Sequence, residues 1–93
     1  SVVVPQAAND LLTINGVEAS FVAVDNGAQV SVSARSMGDV NVQVIMEKLG
    51  GGGHLTMAGA QLRNVSLEEA KRRLLDAISE YRESQRTEKQ KNS

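Results

Sequence analysis

Residues 17–35 most constrain the fold of this chain, because two alternating segments flank the dipeptide Asn26-Gly27. Asn-Gly favours the two-residue type I′ turn of a hairpin, where both central residues need a positive φ. Pairing outward from that turn puts Glu18 opposite Arg35. Because successive strand side chains point to opposite faces, one face of the predicted hairpin is entirely apolar. It carries Ala19, Phe21, Ala23, Val30, Val32 and Ala34.

Two amphipathic helices are predicted after the hairpin, from apolar residues spaced at i, i+3, i+4 and i+7. The first covers residues 42–49 and begins at a cap provided by Asp39 or Asn41. The second covers residues 67–82 and begins with a capping box at residues 66–69, where a hydroxyl and a carboxylate satisfy free backbone amides.

The other segments are predicted from weaker patterns. We expect a helix over residues 5–14, one or two helical turns over 54–58, and a short strand over 59–62. Residues 83–93 contain no apolar side chain and are predicted to be a disordered tail. Residues 1–82 then form one small α+β domain, in which a mixed β-sheet built on the hairpin packs against helices.

Composition limits what such a domain can do. The chain has 93 residues, 41% of them hydrophobic, and no cysteine, so neither a disulfide framework nor a thiolate metal site is available. No apolar run approaches the roughly 18 residues of a membrane span, and we expect a soluble domain. Residues 1–62 carry two basic and five acidic side chains, a balance of −3. This balance argues against a surface for long polyanions.

Gly50 to Gly53, followed by His54, place four of the eight glycines in one run. Glycine lets the backbone adopt positive φ and approach a ligand closely, and successive amides in such a turn can converge on an anion. A flexible linker or an elaborate helix stop would also use glycine. A linker is usually mixed with serine or proline, whereas apolar patterned sequence borders this run on both sides, which favours an anion-binding loop.

Ser33, Arg35 and Ser36 lie at the end of the second hairpin strand. The planar guanidinium of arginine matches a phosphate, and neighbouring hydroxyls can complete the contact. Arg35 could instead pair with Glu18 across the strands, an exposed interaction worth roughly 0–1 kcal/mol. Such a weak pair could exchange for a phosphate, so the two interpretations are compatible.

His54 is the only histidine. It could donate to a phosphate or a leaving oxygen, act as a general acid or base, or bind a metal. One histidine without neighbouring carboxylates or thiols is a poor metal ligand set, and its place beside the glycines favours phosphate contact. Neither clustered carboxylates nor a nucleophile–base pair can be identified, so the sequence does not indicate a complete enzyme.

Residues 42–61, with their Gly-Gly-Gly-His element, resemble the C-terminal associated domain of DHH phosphoesterases. Residues 33–41 are similar to the arginine-containing strand end of the same family. Together with residues 11–22, they look closest to the membrane-anchored cyclic-di-AMP phosphodiesterases of the GdpP or YybT type. The likeness extends over about residues 5–82.

This resemblance implies that catalysis and substrate binding are carried out by different domains. A preceding DHH domain would hold two manganese ions and activate water for attack on a phosphodiester, giving 5′-pApA from cyclic-di-AMP. This chain would bind no metal, would supply no catalytic residue beyond an assisting His54, and would be inactive alone. It would be the cytoplasmic part of a parent anchored in the bacterial cell membrane, without direct membrane contact. Its partners would be that DHH domain and a cyclic dinucleotide or short oligonucleotide, bound by Ser33, Arg35, Ser36, Gly51, Gly52, Gly53 and His54.

Two alternatives stay open from the sequence. The same groups could serve a nanoRNA or 3′-phosphoadenosine phosphate hydrolase of the same superfamily. A related associated domain also occurs in alanyl-tRNA synthetases, so a non-catalytic RNA-binding module is the alternative from another class.

Overall fold

The computed structural model describes the backbone of residues 10–14 and 19–91 and the side chains of residues 19–87. The described strands form one sheet in the order β1-β2-β3-β5-β4. Every neighbouring pair is antiparallel, so the α+β class is confirmed but the sheet is not mixed. The elements are β1 (Asp10–Ile14), β2 (Ala19–Asp25), β3 (Gln29–Ser36), α1 (Val42–Glu47), β4 (Gly52–Gly53), β5 (Met57–Arg63) and α2 (Leu67–Lys91).

The two helices cover one face of the sheet and form an apolar core with it. All six residues that the sequence assigned to the apolar hairpin face are buried. From α1 and α2 the core receives Val42, Ile45, Met46, Ala70, Leu74, Ala77, Ile78 and Tyr81. The opposite face, here called the outer face, is made by the alternate strand positions. It comprises Ser20, Val22, Val24, Gln29, Ser31, Ser33, Arg35, Gly52, Met57, Gly59, Gln61 and Arg63.

The hairpin turn lies one residue later than predicted. The Asn26 amide donates to the Gln29 carbonyl at 3.0 Å, so the two loop residues are Gly27 and Ala28, and Gly27 adopts φ +96°. The Asn26 side chain stabilises the turn from outside, because its Oδ1 accepts from the amides of both Ala28 and Gln29. This moves the register by two residues and places Ser20, not Glu18, opposite Arg35. A shift of two preserves the alternation, which is why the buried face was predicted correctly.

The predicted helix over residues 5–14 is wrong for residues 10–14, which form β1, while residues 5–9 lie outside the described part. Asp10 to Ile14 pair with β2 in antiparallel register. Thr13 and Ile14 are β-branched and favour extended backbone, and the open edge of β2 supplies hydrogen-bond partners along its length. These long-range bonds outweigh the short helical pattern.

The predicted helical turns over residues 54–58 are also absent from the structure. His54 and Met57 exchange backbone hydrogen bonds of 2.7 and 3.3 Å, which makes Leu55 and Thr56 the loop of a second hairpin. Because this hairpin joins β4 to β5, β5 begins at Met57, two residues before the predicted strand.

Helix α2 continues through Lys91, so the prediction of a disordered tail does not hold for residues 83–91. Glutamate, arginine, glutamine and lysine have high helix propensities, and residues 83–91 contain neither glycine nor proline. At its start, the Ser66 hydroxyl accepts from the Glu69 amide at 3.0 Å, as predicted. The Glu69 carboxylate, however, pairs with Arg72 and Arg73 instead of completing the capping box.

Candidate functional site

The first half of the glycine run ends helix α1. Gly50 has φ +87°, and its amide donates to the Glu47 carbonyl at 3.0 Å. The Gly51 amide donates to the Met46 carbonyl at 2.8 Å. This pair of bonds is a Schellman motif, in which a left-handed glycine lets the chain leave the helix. The Gly51 N–H is therefore satisfied within the protein and is not free for a ligand.

The second half of the run forms the edge strand β4, which lies unusually close to β5. A Cβ added at Gly51 would lie 2.6 Å from Ala60 Cβ, and one added at Gly53 would lie 2.7 Å from Ala58 Cβ. No heavy atom lies within 4 Å of a Cβ added at Gly52. Gly51 and Gly53 are thus required by packing, whereas Gly52 leaves open space on the outer face.

The backbone N–H groups of the glycine run differ in whether they are hydrogen-bonded to the neighbouring strand β5. Because His54 and Met57 form a hydrogen-bonded pair, antiparallel alternation makes Gly53 and Ala58 a non-hydrogen-bonded pair. The Gly53 N–H therefore points away from β5 at the free edge of the sheet. Of the glycine amides predicted to bind a ligand, the Gly53 N–H is therefore the one placed to donate to an acceptor outside the chain.

Two backbone hydrogen bonds hold the His54 turn beside the end of β3. The Ser36 amide donates to the Thr56 carbonyl at 3.0 Å, and the Val42 amide donates to the Leu55 carbonyl at 3.0 Å. Val42 is the first residue of α1, whose amide has no acceptor inside the helix. The loop thus satisfies that amide and brings the glycine run to Arg35, which is distant in sequence.

The resulting arrangement on the outer face consists of two adjacent rows across three strands. In one row Met57 lies between Arg35 and His54, with each neighbouring pair in register. With strands about 4.8 Å apart, the α-carbons of Arg35 and His54 lie roughly 10 Å from each other. The next row is Ser33, Gly59 and Gly52, two of which have no side chain. Arginine, histidine and serine therefore surround a bare backbone floor.

Ser36 is separate from this arrangement. It follows Arg35 on the strand and so points to the other face, where its Oγ accepts from the Gly38 amide at 3.2 Å. The structure thus brings Ser33, Arg35, Gly52 and His54 together, but not Ser36.

The Arg35 side chain has no ion pair among the described residues, and Ser33, Arg35 and His54 are all exposed. No carboxylate occupies any outer-face position of β2, β3, β4 or β5. The Arg35 guanidinium is therefore exposed on a face whose described strand positions contain no opposing carboxylate, which favours anions there.

Two polar residues of the outer face were not identified from the sequence, namely Gln61 and Arg63. Both are exposed on β5, and Arg63 is in register with Gln29. Alternation over residues 57–63 would have indicated them, but the prediction of helical turns over 54–58 interrupted the strand pattern.

Neither a metal cluster nor a membrane helix is found in the described part of the chain. No group of three or more His, Cys, Asp or Glu residues there is arranged to hold a metal ion. None of its helices is sufficiently long and apolar to span a bilayer.

The chain also matches known proteins over most of its length. The family model for the DHHA1 domain matches residues 1–84. The chain belongs to the DHHA1 domain family. This DHHA1 domain is 58% identical over 81 residues to the cyclic-di-AMP phosphodiesterase GdpP of Geobacillus thermodenitrificans, covering 86% of the chain and 12% of that protein.

Two further relatives match the same DHHA1 domain. It is 50% identical over 82 residues to the cyclic-di-AMP phosphodiesterase PdeA of Listeria monocytogenes, covering 87% of the chain and 12% of PdeA. It is 44% identical over 72 residues to the bifunctional oligoribonuclease and PAP phosphatase NrnA of Thermus thermophilus, covering 72% of the chain and 22% of NrnA. The chain therefore spans about an eighth of the length of the first two relatives.

Proposed function

We propose that this DHHA1 domain is the substrate-binding part of a cyclic-di-AMP phosphodiesterase that releases 5′-pApA. The observation that carries the proposal is the row of Arg35, Met57 and His54 beside the side-chain-free floor at Gly52 and Gly59. The relatives with the highest identity described above are cyclic-di-AMP phosphodiesterases by name, which supports this substrate class.

Each group in the row has a distinct task in the proposed site. The Arg35 guanidinium forms charge-assisted hydrogen bonds with a phosphate, and the Ser33 hydroxyl donates beside it. The bare floor lets the phosphate reach the sheet, with the Gly53 amide at the edge as a further donor. His54 closes the opposite side and can donate a proton to an oxygen of the substrate.

No group of three or more His, Cys, Asp or Glu residues in the described part of the chain is arranged to hold a metal ion. In our proposal two manganese ions and the attacking water belong to a preceding DHH domain, and this chain alone is inactive. The parent protein is proposed to be anchored in the bacterial membrane, with this domain on the cytoplasmic side.

Arg35→Ala tests the phosphate contact. The variant is made in a chimera in which this chain replaces the matched 81-residue region of Bacillus subtilis GdpP, to which it is 54% identical. Loss of a charge-assisted contact of about 1.5–3 kcal/mol should lower kcat/KM for cyclic-di-AMP roughly 10- to 150-fold. Arg82→Ala, which removes an exposed arginine of α2, should leave kcat/KM unchanged. Equal turnover by the Arg35→Ala chimera and its parent would contradict the assignment.

His54→Ala tests the other end of the row in the same chimera. The side chain is exposed, so its removal should lower kcat/KM clearly while the melting temperature stays nearly constant. Kinetics and thermal unfolding are measured on the same preparation. A parallel fall in both quantities would instead indicate a structural role for His54.

The relative NrnA supports a second candidate within the same class, an oligoribonuclease or PAP phosphatase domain. The outer face could serve either substrate, because its contacts are to phosphate. Side-by-side hydrolysis of cyclic-di-AMP and pApA by the full-length protein that carries this chain distinguishes the two candidates.

A further inference from the structure

The outer face continues well beyond the row of Arg35 and His54. A groove runs along it from the row of Ser33 and Gly59 to Arg63, between β3 and the segment that leaves α1. Its polar groups are two hydroxyls, a carboxamide and a guanidinium, and its other wall is backbone. It is lined by Ser31, Ser33, Gly50, Gly51, Gln61 and Arg63.

Arg63 is placed at the end of this groove, and no side chain among residues 19–87 compensates its charge. Its side chain forms no ion pair or hydrogen bond with the described residues, and it is exposed. Its register partner is Gln29, and the outer-face neighbour on its own strand is Gln61. The groove therefore has a cation and neutral hydrogen-bonding groups, with no carboxylate at an outer-face strand position.

Arg35 and Arg63 mark the two ends of one polar track. The row of Arg35 and the row of Arg63 are six residues apart along β3, which is about 20 Å at 3.4 Å per residue. A stacked strand advances about 3.4 Å per nucleotide, so roughly six stacked nucleotides, or fewer when unstacked, reach from one cation to the other. Ser33, Ser31 and Gln61 lie between them and can bond to sugar hydroxyls or phosphates.

We propose that the groove ending at Arg63 is a second subsite, which binds a distal phosphate of a linear oligonucleotide whose first phosphate lies at Arg35. The inference rests on the proposed function, since it extends the phosphate site from Arg35 along the same face. The subsite favours longer linear substrates over a dinucleotide.

Contacts in this subsite are made to the sugar-phosphate backbone. Single-strand binding surfaces usually stack bases on aromatic side chains. The two aromatic residues of the chain, Phe21 and Tyr81, are both buried in the core. Base identity should therefore have little influence on binding at Arg63.

The test uses the 93-residue chain and single-stranded oligoadenylates of two and six nucleotides that carry a 5′-phosphate. Backbone amide NMR shifts of Ser31, Gln61 and Arg63 should respond to the longer ligand only. Arg63→Ala should weaken the longer ligand about tenfold and leave the shorter within about twofold, because only the longer one reaches the second cation. Arg82→Ala is the charge-matched control and should change neither affinity by more than about twofold.

The outcomes separate this inference from the proposed function. Equal effects of Arg63→Ala on both ligands, or no shifts at Ser31, Gln61 and Arg63 with millimolar hexamer, would overturn the second subsite. Arg35→Ala should weaken both ligands. If Arg35→Ala lowers the affinity for neither ligand while Arg63→Ala lowers the affinity for the hexamer, the proposed site at Arg35 is contradicted and the distal subsite is supported.

Discussion

Gly51 and Gly52 are sequence neighbours with opposite surroundings. A Cβ at Gly51 would collide with Ala60 on β5, while one at Gly52 would project into open space on the outer face. Glycine is therefore needed at the first position because two strands meet closely. At the second position its use is to leave the floor of the proposed site bare.

The variants Gly51→Ala and Gly52→Ala test separately the role of glycine in strand packing and its role in oligonucleotide binding. Gly51→Ala should lower the free energy of unfolding by about 1–3 kcal/mol or more, because the added methyl group overpacks the strand contact. Gly52→Ala should leave stability nearly unchanged but weaken oligonucleotide binding, since its methyl group would cover the floor. Urea unfolding and ligand titration of both variants check this. A stable Gly51→Ala variant would disprove the packing role.

At the scale of elements, α1 is too short to be stable by itself. Its six residues depend on contacts at both ends. At the start, Asn41 Oδ1 accepts from the amides of Gln43 and Val44, at 3.0 and 3.3 Å. The Tyr81 hydroxyl of α2 accepts from the Asn41 amide at 2.9 Å. Helix α2 therefore fixes the start of α1, which in turn holds the His54 turn through the amide of Val42.

Tyr81→Phe tests this connection. The ring stays in the core, but the part-buried Asn41 amide loses its acceptor, so unfolding should become easier by about 0.5–1.5 kcal/mol. Denaturant unfolding gives the stability, and hydrogen exchange should show faster exchange of the Asn41 amide. Unchanged stability together with unchanged exchange would show that this bond does not hold α1.

At the scale of the whole molecule, the acidic side chains of residues 19–87 are unevenly distributed between the two sides of the sheet. One ion pair joins Lys48, directly after α1, to Glu80 of α2, and others link neighbouring turns of α2, as in Arg72–Asp76. The outer-face positions of β2 to β5 contain arginines and no carboxylate. The net charge of −3 over residues 1–62 is therefore a poor guide to anion binding, because acidic side chains such as Glu47 do not lie on the outer face of the sheet.

The α2 ion pairs predict how stability depends on pH. Hydrogen bonds from Arg72 and Arg73 lower the pKa of Glu69 from 4.5 to about 2. Because the folded-state pKa is the lower one, this contribution is present above about pH 4.5 and is lost as the pH falls toward 2. The Glu69 side chain is 34% exposed and its carboxylate is partly screened by solvent, so the effect should be small.

Glu69→Gln provides the comparison, since its backbone amide can still donate to Ser66. The difference in unfolding free energy between the natural chain and this variant should shrink as the pH is lowered from about 5 to about 2. Urea unfolding across this range measures it. A difference that is constant or grows on acidification would refute the pH dependence.

The sequence by itself determined the two faces of the hairpin and the buried sides of α1 and α2, and it limited the α1 cap to Asp39 or Asn41, because each depends on spacing within a short segment. It also supplied Ser33, Arg35, Gly52 and His54 as site candidates from residue type and position, and the resemblance of their motifs implied that they contact a phosphate.

The tertiary structure decided the hairpin register, the extended conformation of residues 10–14 and the separate roles of the four glycines. It also decided the position of Arg63 on the face of Arg35. Each depends on which strands are neighbours, and this is set by backbone hydrogen bonds and side-chain contacts between distant parts of the chain. A local pattern contains no information about those partners, whereas alternation within a strand survives a register shift of two.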